Sequence, residues 1–294
     1  MTISTENFLK AIYLIQKDDD TGASASEIAR HLDISNAAVT DMSRNLSSKG
    51  LIIYEKYKNL ILTKTGADIA IRTIRRHRLW ETFLKEVLDV PIDKVHDEAE
   101  SLEHHMSEYL MDKIDGYLGF PDFDPHGDPI PDSKGEFPDC SDFIQLSDID
   151  EEQTYKITRI EHHRIDILLK LRSLNLLPGE RISFIRRFDD DGSLVLKTSK
   201  EKVIVEPWLF DKVMVKPLKS LFDIKVNESA IIEDVVAEKY QKRRFLDLGF
   251  VKGTSVSKVM KAPSGDPCSY EIRGTVIALR NDEASKILID NNHE

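Results

Sequence analysis

The chain has 294 residues, 40% of them hydrophobic and 32% charged, enough for two or three domains each with its own core. No run approaches the ~20 apolar residues of a membrane span. The start MTISTENFLK lacks the basic and apolar regions of a signal peptide, and Cys140 and Cys268 suggest no disulfide framework, so no membrane partner and a cytoplasmic location are expected. The net charge of −11 argues against a uniformly basic nucleic-acid binder, but its distribution is uneven. Residues 44–78 hold nine Lys/Arg against two Asp/Glu, a net +7, and residues 81–152 hold 22 Asp/Glu against four Lys, a net −18. A basic segment followed by an acidic one fits a DNA-contacting surface beside a cation-binding body.

Residues 5–17, TENFLKAIYLIQK, predict a helix that Thr5 can cap, with Phe8, Leu9, Ile12 and Ile15 on its apolar face. DDDTG breaks it. Ser24 or Ser26 starts a short helix, SEIARHL, the turn DIS follows, and a further helix runs from Asn36 to a stop at Gly50. Ala29, Leu32, Ile34, Val39, Met42 and Leu46 can share a small core, which makes a helix-turn-helix. Its second helix opens on small and polar residues, a surface able to enter a major groove. LIIYEKYKNLILT then reads as a hairpin wing with a basic tip, so a winged helix is expected over residues 1–64.

Residues 65–88 predict one long helix that carries His77 and Glu81 at i, i+4 and ends before Pro91. Asp93 can cap the next helix, expected to run to about Ile114. In its first part, VHDEAESLEHHM, the apolar Val95, Ala99, Leu102 and Met106 recur at steps of four, three and four. His96, Glu100, Glu103 and His104 recur at four, three and one, forming a neighbouring stripe. Imidazoles and carboxylates without thiolate suit Mn, Fe(II), Zn or Ni; the bland alternative is the wet side of an amphipathic helix. Two long apolar-faced helices over residues 65–140 would also suit a homodimer, and a dimer would read a palindrome. Residues 115–145, rich in Pro, Gly and Asp, read as a domain junction, in which Asp124 and His126 are either ligands or incidental.

The remainder is β-rich and repeats. Residues of about 145–215 and about 220–289 each carry a short strand, a short helix, LRSLNLLPGERI or FLDLGFVKGTSV, further strands and a final helical turn. Two small β-barrels are expected, over 141–217 and 218–294. The fold class is therefore α+β multidomain: a winged helix-turn-helix, an all-α metal-binding and dimerisation domain, and two C-terminal SH3-like barrels.

RRHRLWE, DKVHDEAESLEHHMSE and HGDPIP together resemble the diphtheria-toxin-repressor and manganese-transport-regulator family of metal-activated repressors, over about residues 3–140. The C-terminal repeats look like the SH3-like modules of FeoA-type proteins, the second more closely through FLDLGFVKGT, APSGDP and IRGTVIALRNDEASKIL. The iron branch usually carries one such module, so two is a departure. The resemblance implies a principal metal site of Asn7, Glu100, Glu103 and His104. Asn7 stands where the family has Asp or Met, and Glu100 where the iron branch has Cys. A hard, oxygen-rich site favours Mn(II), then Fe(II), with Zn(II) as a third choice. Two-metal members of the manganese branch carry an acid three positions beyond, where this chain has Lys10. His77, Glu81 and His96 match ancillary ligands, Asp124 and His126 fall where three-domain members place ligands, and His163 and Asp166 are the nearest candidates for a ligand from the first barrel.

The mechanism implied is metal-favoured binding of a dimer to a palindromic operator of double-stranded DNA, controlling manganese or iron uptake genes. Ser35, Asn36, Ala37, Ala38, Thr40 and Asp41 are assigned near base edges, and Arg44, Lys49, Lys56 and Lys58 at phosphates. The alternatives are an iron or zinc sensor of the same family, a metalloenzyme, or a metal-binding adaptor acting through the barrels. The metalloenzyme is disfavoured because no additional base or nucleophile accompanies the stripe, and any protein partner of the last module is unspecified.

Overall fold

In the computed structural model, residues 2–18, 22–150, 153–237 and 239–290 are described. The chain divides into two units: Met1–Asp142 with Thr158–Pro178, and Phe143–Ile157 with Gly179–Glu294. The first C-terminal repeat is therefore shared between them.

The first unit opens with helix α1 (Ile3–Asp18). Thr5 lies inside α1 and is buried, so it does not cap the helix. Helix α2 (Ala25–His31) is started by a reciprocal pair: the Glu27 amide donates to Ser24 Oγ at 3.2 Å, and the Ser24 amide donates to the Glu27 carboxylate at 3.0 Å. Helix α3 (Asn36–Ser48) is capped by Ser35, whose Oγ accepts from the Ala38 amide, and it ends at Gly50 in a left-handed conformation. Strands β1 (Ile52–Ile53) and β2 (Ile61–Leu62) pair antiparallel and form the wing. Phe8, Leu9, Ile12, Ile28, Val39, Leu46 and Leu60 share one core with Ile69 and Ala70 of helix α4 (Lys64–Glu86). Both α1 and the start of α4 are thus built into the winged helix.

The next helix departs from expectation. Helix α5 (Val95–Leu102) tightens into a 3₁₀ turn at Glu103–His105, Met106 is extended, and a separate helix α6 (Glu108–Leu118) begins. Ser107 causes the restart, since its Oγ accepts from the Leu110 amide at 3.2 Å. Asp93 does not cap α5; it accepts from Arg172 at 2.8 Å. Residues 121–132, expected as a junction, are packed into the unit: Asp124 Oδ1 accepts from the His126 and Asp128 amides, and Ile130 joins Leu79, Met106, Met111 and Ile114 in a second core.

The C-terminal repeats have the same sheet topology. The first comprises β3 (Ile144–Gln145), β4 (Thr154–Ile160), helix α7 (Ile165–Ser173), β5 (Arg181–Arg187), β6 (Leu194–Lys197), β7 (Lys202–Val205) and β8 (Val213–Pro217). The second comprises β9 (Lys219–Ser220), β10 (Ser229–Val235), helix α8 (Lys239–Asp247), β11 (Ser255–Lys261), β12 (Cys268–Ile272), β13 (Thr275–Leu279), helix α9 (Asn281–Ala284) and β14 (Ile287–Asp290). Among the described residues the strand orders are β3-β8-β4-β5-β6-β7 and β9-β14-β10-β11-β12-β13, which correspond position by position. The shared turn also matches: Asn175 and Gly179 have φ of 55° and 88°, and Gly249 and Gly253 have 96° and 81°. Phe245, Phe250, Tyr270 and Ile232 fill the second core. Lys156 Nζ, 3.2 Å from Glu233 Oε1, ties the two repeats together.

The seat of α4 leaves no room at Gly66, where an added Cβ would lie 2.0 Å from the Leu51 carbonyl oxygen. Gly66→Ala should therefore cost about 1–3 kcal/mol, read as a lowered urea midpoint; an unchanged midpoint would refute this packing.

Candidate metal centre

Helices α1, α4 and α5 bring imidazoles and carboxylates together because each presents them opposite its core-facing side. On α1, Phe8, Leu9 and Ile12 face the winged-helix core, which leaves Glu6, Asn7 and Lys10 on another side. Glu100, Glu103 and His104 offer ligand atoms within 4.8 Å of one another. Glu103 has no exposed surface. His104 Nδ1 lies 2.8 Å from Glu6 Oε2, and its Nε2 lies 3.1 Å from Glu103 Oε1. Glu6 thereby orients the imidazole and leaves Nε2 for a cation. Asn7 Oδ1 and His104 Nε2 are buried with no hydrogen-bond partner. Orphaned acceptors beside a buried carboxylate are the donor set a divalent ion would satisfy.

His77 joins this group to a second one. Its Nδ1 lies 2.7 Å from Glu103 Oε2, while its Nε2 lies 3.1 Å from Glu81 Oε1 and 3.2 Å from His96 Nδ1. His96 Nδ1 is 3.0 Å from Glu81 Oε1, and His126 Nδ1 is 3.6 Å from Glu81 Oε2. His126 Nε2 is engaged by the Ile92 carbonyl at 3.2 Å, so Nδ1 is the nitrogen facing Glu81. Asp124 is buried within reach of Glu81 and His126, and its Oδ2 has no hydrogen-bond partner.

Of the residues expected from the first barrel, His163 is exposed, with its ring 5.5 Å from that of His96. Asp166 is also exposed and lies outside the cluster, 2.6 Å from its neighbour Arg164. The preceding residue, His162, is brought in instead: it can share a cation with Glu81 and His96, and its ring stacks 4.3 Å from that of His126. Adjacent histidines offered no basis in sequence for choosing between them. Glu6 and Asp128 were likewise missed. Asp128 is held by Arg159 at 2.6 Å and lies 3.6 Å from His162 Nδ1.

The electrostatics are those of a buried cluster of carboxylates and imidazoles, with Lys10 and Arg78 beside it. Burial and the Lys10 ammonium work to lower the His77 pKa, but the Glu81 and Glu103 carboxylates push it up to about 9. Glu81 resists burial and is held well below the usual carboxylate range by His77, His126 and His96. Burial, with the Glu81 and Asp128 charges, pushes Asp124 well above its usual range. Burial and His126 push His162 down to about 2, which leaves its imidazole neutral and able to ligate.

Most of the residues assigned to DNA from the sequence are exposed. Ser35, Asn36, Ala37, Ala38, Asp41 and Arg44 are exposed on or beside α3, and Thr40 is half-buried with its hydroxyl donating to the Asn36 carbonyl. Lys49, Lys56 and Lys58 are exposed after α3 and on the wing. The basic stretch of α4 contributes less than its charge suggests. Arg75 is 3% exposed and paired with Asp115, and Arg78 is buried near Asp124 and Asp128. Carboxylates distant in sequence have drawn these guanidinium groups inward.

A winged helix joined to a buried imidazole–carboxylate centre defines a metal-responsive DNA-binding regulator. The iron dependent repressor N-terminal DNA binding domain matches residues 1–60, its metal binding and dimerisation domain matches 63–132, and FeoA domains match 144–217 and 219–291. The HTH-type transcriptional regulator MntR of Bacillus pumilus (strain SAFR-032) is 36% identical over 119 residues, 40% of this chain and 81% of that protein. A manganese-dependent transcriptional repressor solved in complex with manganese is 31% identical, with a TM-score of 0.65 over 73% of this chain and all of the other. The structure of ScaR with bound Zn2+ is 29% identical, with a TM-score of 0.57 over 72% of this chain and 98% of that one. The chain belongs to the diphtheria-toxin-repressor and manganese-transport-regulator family. It is a metal-dependent transcriptional repressor, in a family of DNA-binding regulators rather than enzymes. Among the described residues no helix is long and apolar enough to cross a membrane.

Glu6 gives a direct check on the centre. Glu6→Ala should weaken metal binding about 10- to 100-fold in a Mn(II) titration by freeing the His104 ring, whereas an unchanged affinity would place His104 outside the centre.

Proposed function

We propose that this repressor acts in the cytoplasm as a homodimer, with Mn(II) the preferred co-repressor, Fe(II) next and Zn(II) third. Its target is then a palindromic operator at manganese or iron uptake genes. The observation that carries the metal ranking is the donor set: Asn7, Glu100, Glu103 and His104 supply hard oxygens and one imidazole. Cys268 belongs to the core of the second repeat and Cys140 to the turn after Pro138. Sulfur-free sites favour Mn(II) and Fe(II), although raw affinity follows the Irving–Williams order and leaves Zn(II) a competitor. The similarity to proteins solved with manganese and with zinc supports the same short list.

The mechanism follows from where the donors are mounted. A bound divalent ion supplies positive charge and a fixed set of directions to the Glu103 and His104 donors. Asn7 belongs to α1, which is part of the winged-helix core, whereas Glu100, Glu103 and His104 belong to α5 and its 3₁₀ turn. Drawing these donors together fixes α1, and with it α3, relative to the helical domain. Glu81, His96, Asp124, His126 and His162 form a second cluster that binds residues 121–132 and 158–178 to α4 and α5. Tyr109, Leu110, Tyr117 and Phe120 on and just after α6 expose an apolar surface suited to the second copy. With the dimer axis fixed, the exposed residues of α3 meet base edges in successive major grooves, and Arg44, Lys49, Lys56 and Lys58 meet phosphates.

The test is binding of metal-free protein to its own upstream DNA and to metal-transporter promoters, with Mn(II), Fe(II) and Zn(II) added separately under anaerobic conditions at fixed salt. Binding should require metal, be strongest with Mn(II) and be lost in Glu103→Ala. Equal binding without metal would overturn the proposal.

A further inference from the structure

The tip of the wing presents an aromatic ring to solvent in a backbone conformation that aromatic residues seldom adopt. The turn from Glu55 to Lys58 is closed by the Lys58 amide, which donates to the Glu55 carbonyl at 3.1 Å. Tyr57 is the third residue of that turn and has φ of 70°, in the left-handed region that glycine and asparagine favour. The same residue is 92% exposed. The conformation therefore destabilises the fold, and the ring offsets little of that by burial. The Lys56 ammonium lies 4.8 Å from the ring centroid, a cation held against the aromatic face. The base of the wing is fixed. Ala23 and Leu60 exchange backbone bonds of 3.0 and 2.8 Å, and Asn59 Nδ2 donates to the Gly22 carbonyl at 3.1 Å. Between wing and α3 lies an open groove of about 390 Å³, lined by Thr40, Ser43 and Arg44 of the helix and Tyr54, Lys56 and Tyr57 of the wing.

We propose that Tyr57 is a specificity-determining residue of the repressor: with α3 in a major groove, its ring wedges into the adjacent minor groove at a flexible base step, with the Lys56 ammonium at the groove mouth. This rests on the reading that α3 meets base edges. It adds that each half-site must supply a suitable flank at positions α3 does not touch. The minor groove shows A·T and T·A pairs alike, so the ring reads how the duplex deforms rather than which base stands on which strand. Pyrimidine–purine steps such as TA open most easily to an inserted side chain. A·T-rich stretches also narrow the groove and strengthen its negative potential, which draws in the Lys56 cation. G·C pairs place an amino group on the groove floor and so present a different surface to the ring. The preferred flank is then rich in A·T pairs and contains a TA step.

The experiment uses full-length wild type, Tyr57→Ala, Tyr57→Phe and Tyr57→Gly, each saturated with Mn(II). Each selects duplexes from a random-sequence pool at one salt concentration. Affinities are then measured for the selected core flanked either by A·T pairs with a TA step or by G·C pairs. Wild type is expected to hold the A·T-flanked duplex about tenfold more tightly than the G·C-flanked one. Tyr57→Ala should bind the A·T-flanked duplex about tenfold more weakly than wild type does, and should select the same core with no flank preference. Tyr57→Phe should keep the preference, because the ring carries it and the hydroxyl does not. Tyr57→Gly removes the ring and accommodates the left-handed backbone, so it should lose the preference with an undiminished urea midpoint, which excludes misfolding as the cause. A flank preference retained in both the Ala and Gly variants would overturn the proposal, and so would an equal loss of affinity for both duplexes. A wild type that selects a core without a flank would overturn it too, leaving the reading of α3 intact. Selection of no core at all would remove the reading of α3, and the proposal with it.

Discussion

The burial of Glu103 is the constraint on which the first unit depends. A carboxylate with no exposed surface must be compensated, because an unpaired buried charge costs several kcal/mol. Lys10, His77 and His104 all approach it. Glu81, Asp124 and Asp128 repeat the problem nearby, and Arg78, Arg159 and the other imidazoles gather around them. These groups do not satisfy one another fully. Asn7 Oδ1 and Asp124 Oδ2 remain without hydrogen-bond partners. A divalent cation bound beside them would relieve such buried acceptors.

Helices α1 and α4 carry that constraint to the DNA-binding surface. Ile69 and Ala70 sit in the winged-helix core, His77 and Glu81 in the centre, and Leu79 and Leu84 in the two cores beyond it, all on one continuous α4. On α1, Phe8, Leu9 and Ile12 hold the winged helix from one side while Glu6, Asn7 and Lys10 reach the centre from the other. A change in how donors meet on one face of α1 would, under the proposed mechanism, reach α3 through a shared core that deforms little.

Much of this was legible in sequence because the determinants are local. Ser24 with Glu27, Ser35 and Gly50 are short-range signals, and they placed α2 and α3. The stripe from His96 to His104 declared itself by helical spacing, and the C-terminal modules by internal repetition. The break before α6 was also signalled, since Ser107 followed by Glu108 is a helix start, but the unbroken run of helix formers masked it. What was not legible depends on long-range pairing. Nothing near Arg75 or Arg78 in sequence announces Asp115, Asp124 or Asp128. The preference for His162 over His163, the packing of residues 121–132 and the position of the Lys10 ammonium all arise from segments that meet only in the folded unit.

The central claim is that metal and DNA select the same arrangement of α1 against α5. The most direct test is the Mn(II) affinity of the protein alone and when saturated with a DNA duplex that it binds, at one salt concentration and pH. Linkage requires DNA to raise Mn(II) affinity by the same factor by which Mn(II) raises DNA affinity. The account predicts that both factors are well above one, that they are equal, and that both vanish in Glu103→Ala. Equal Mn(II) affinity with and without bound DNA would contradict it, because the metal would then make no distinction between the two arrangements.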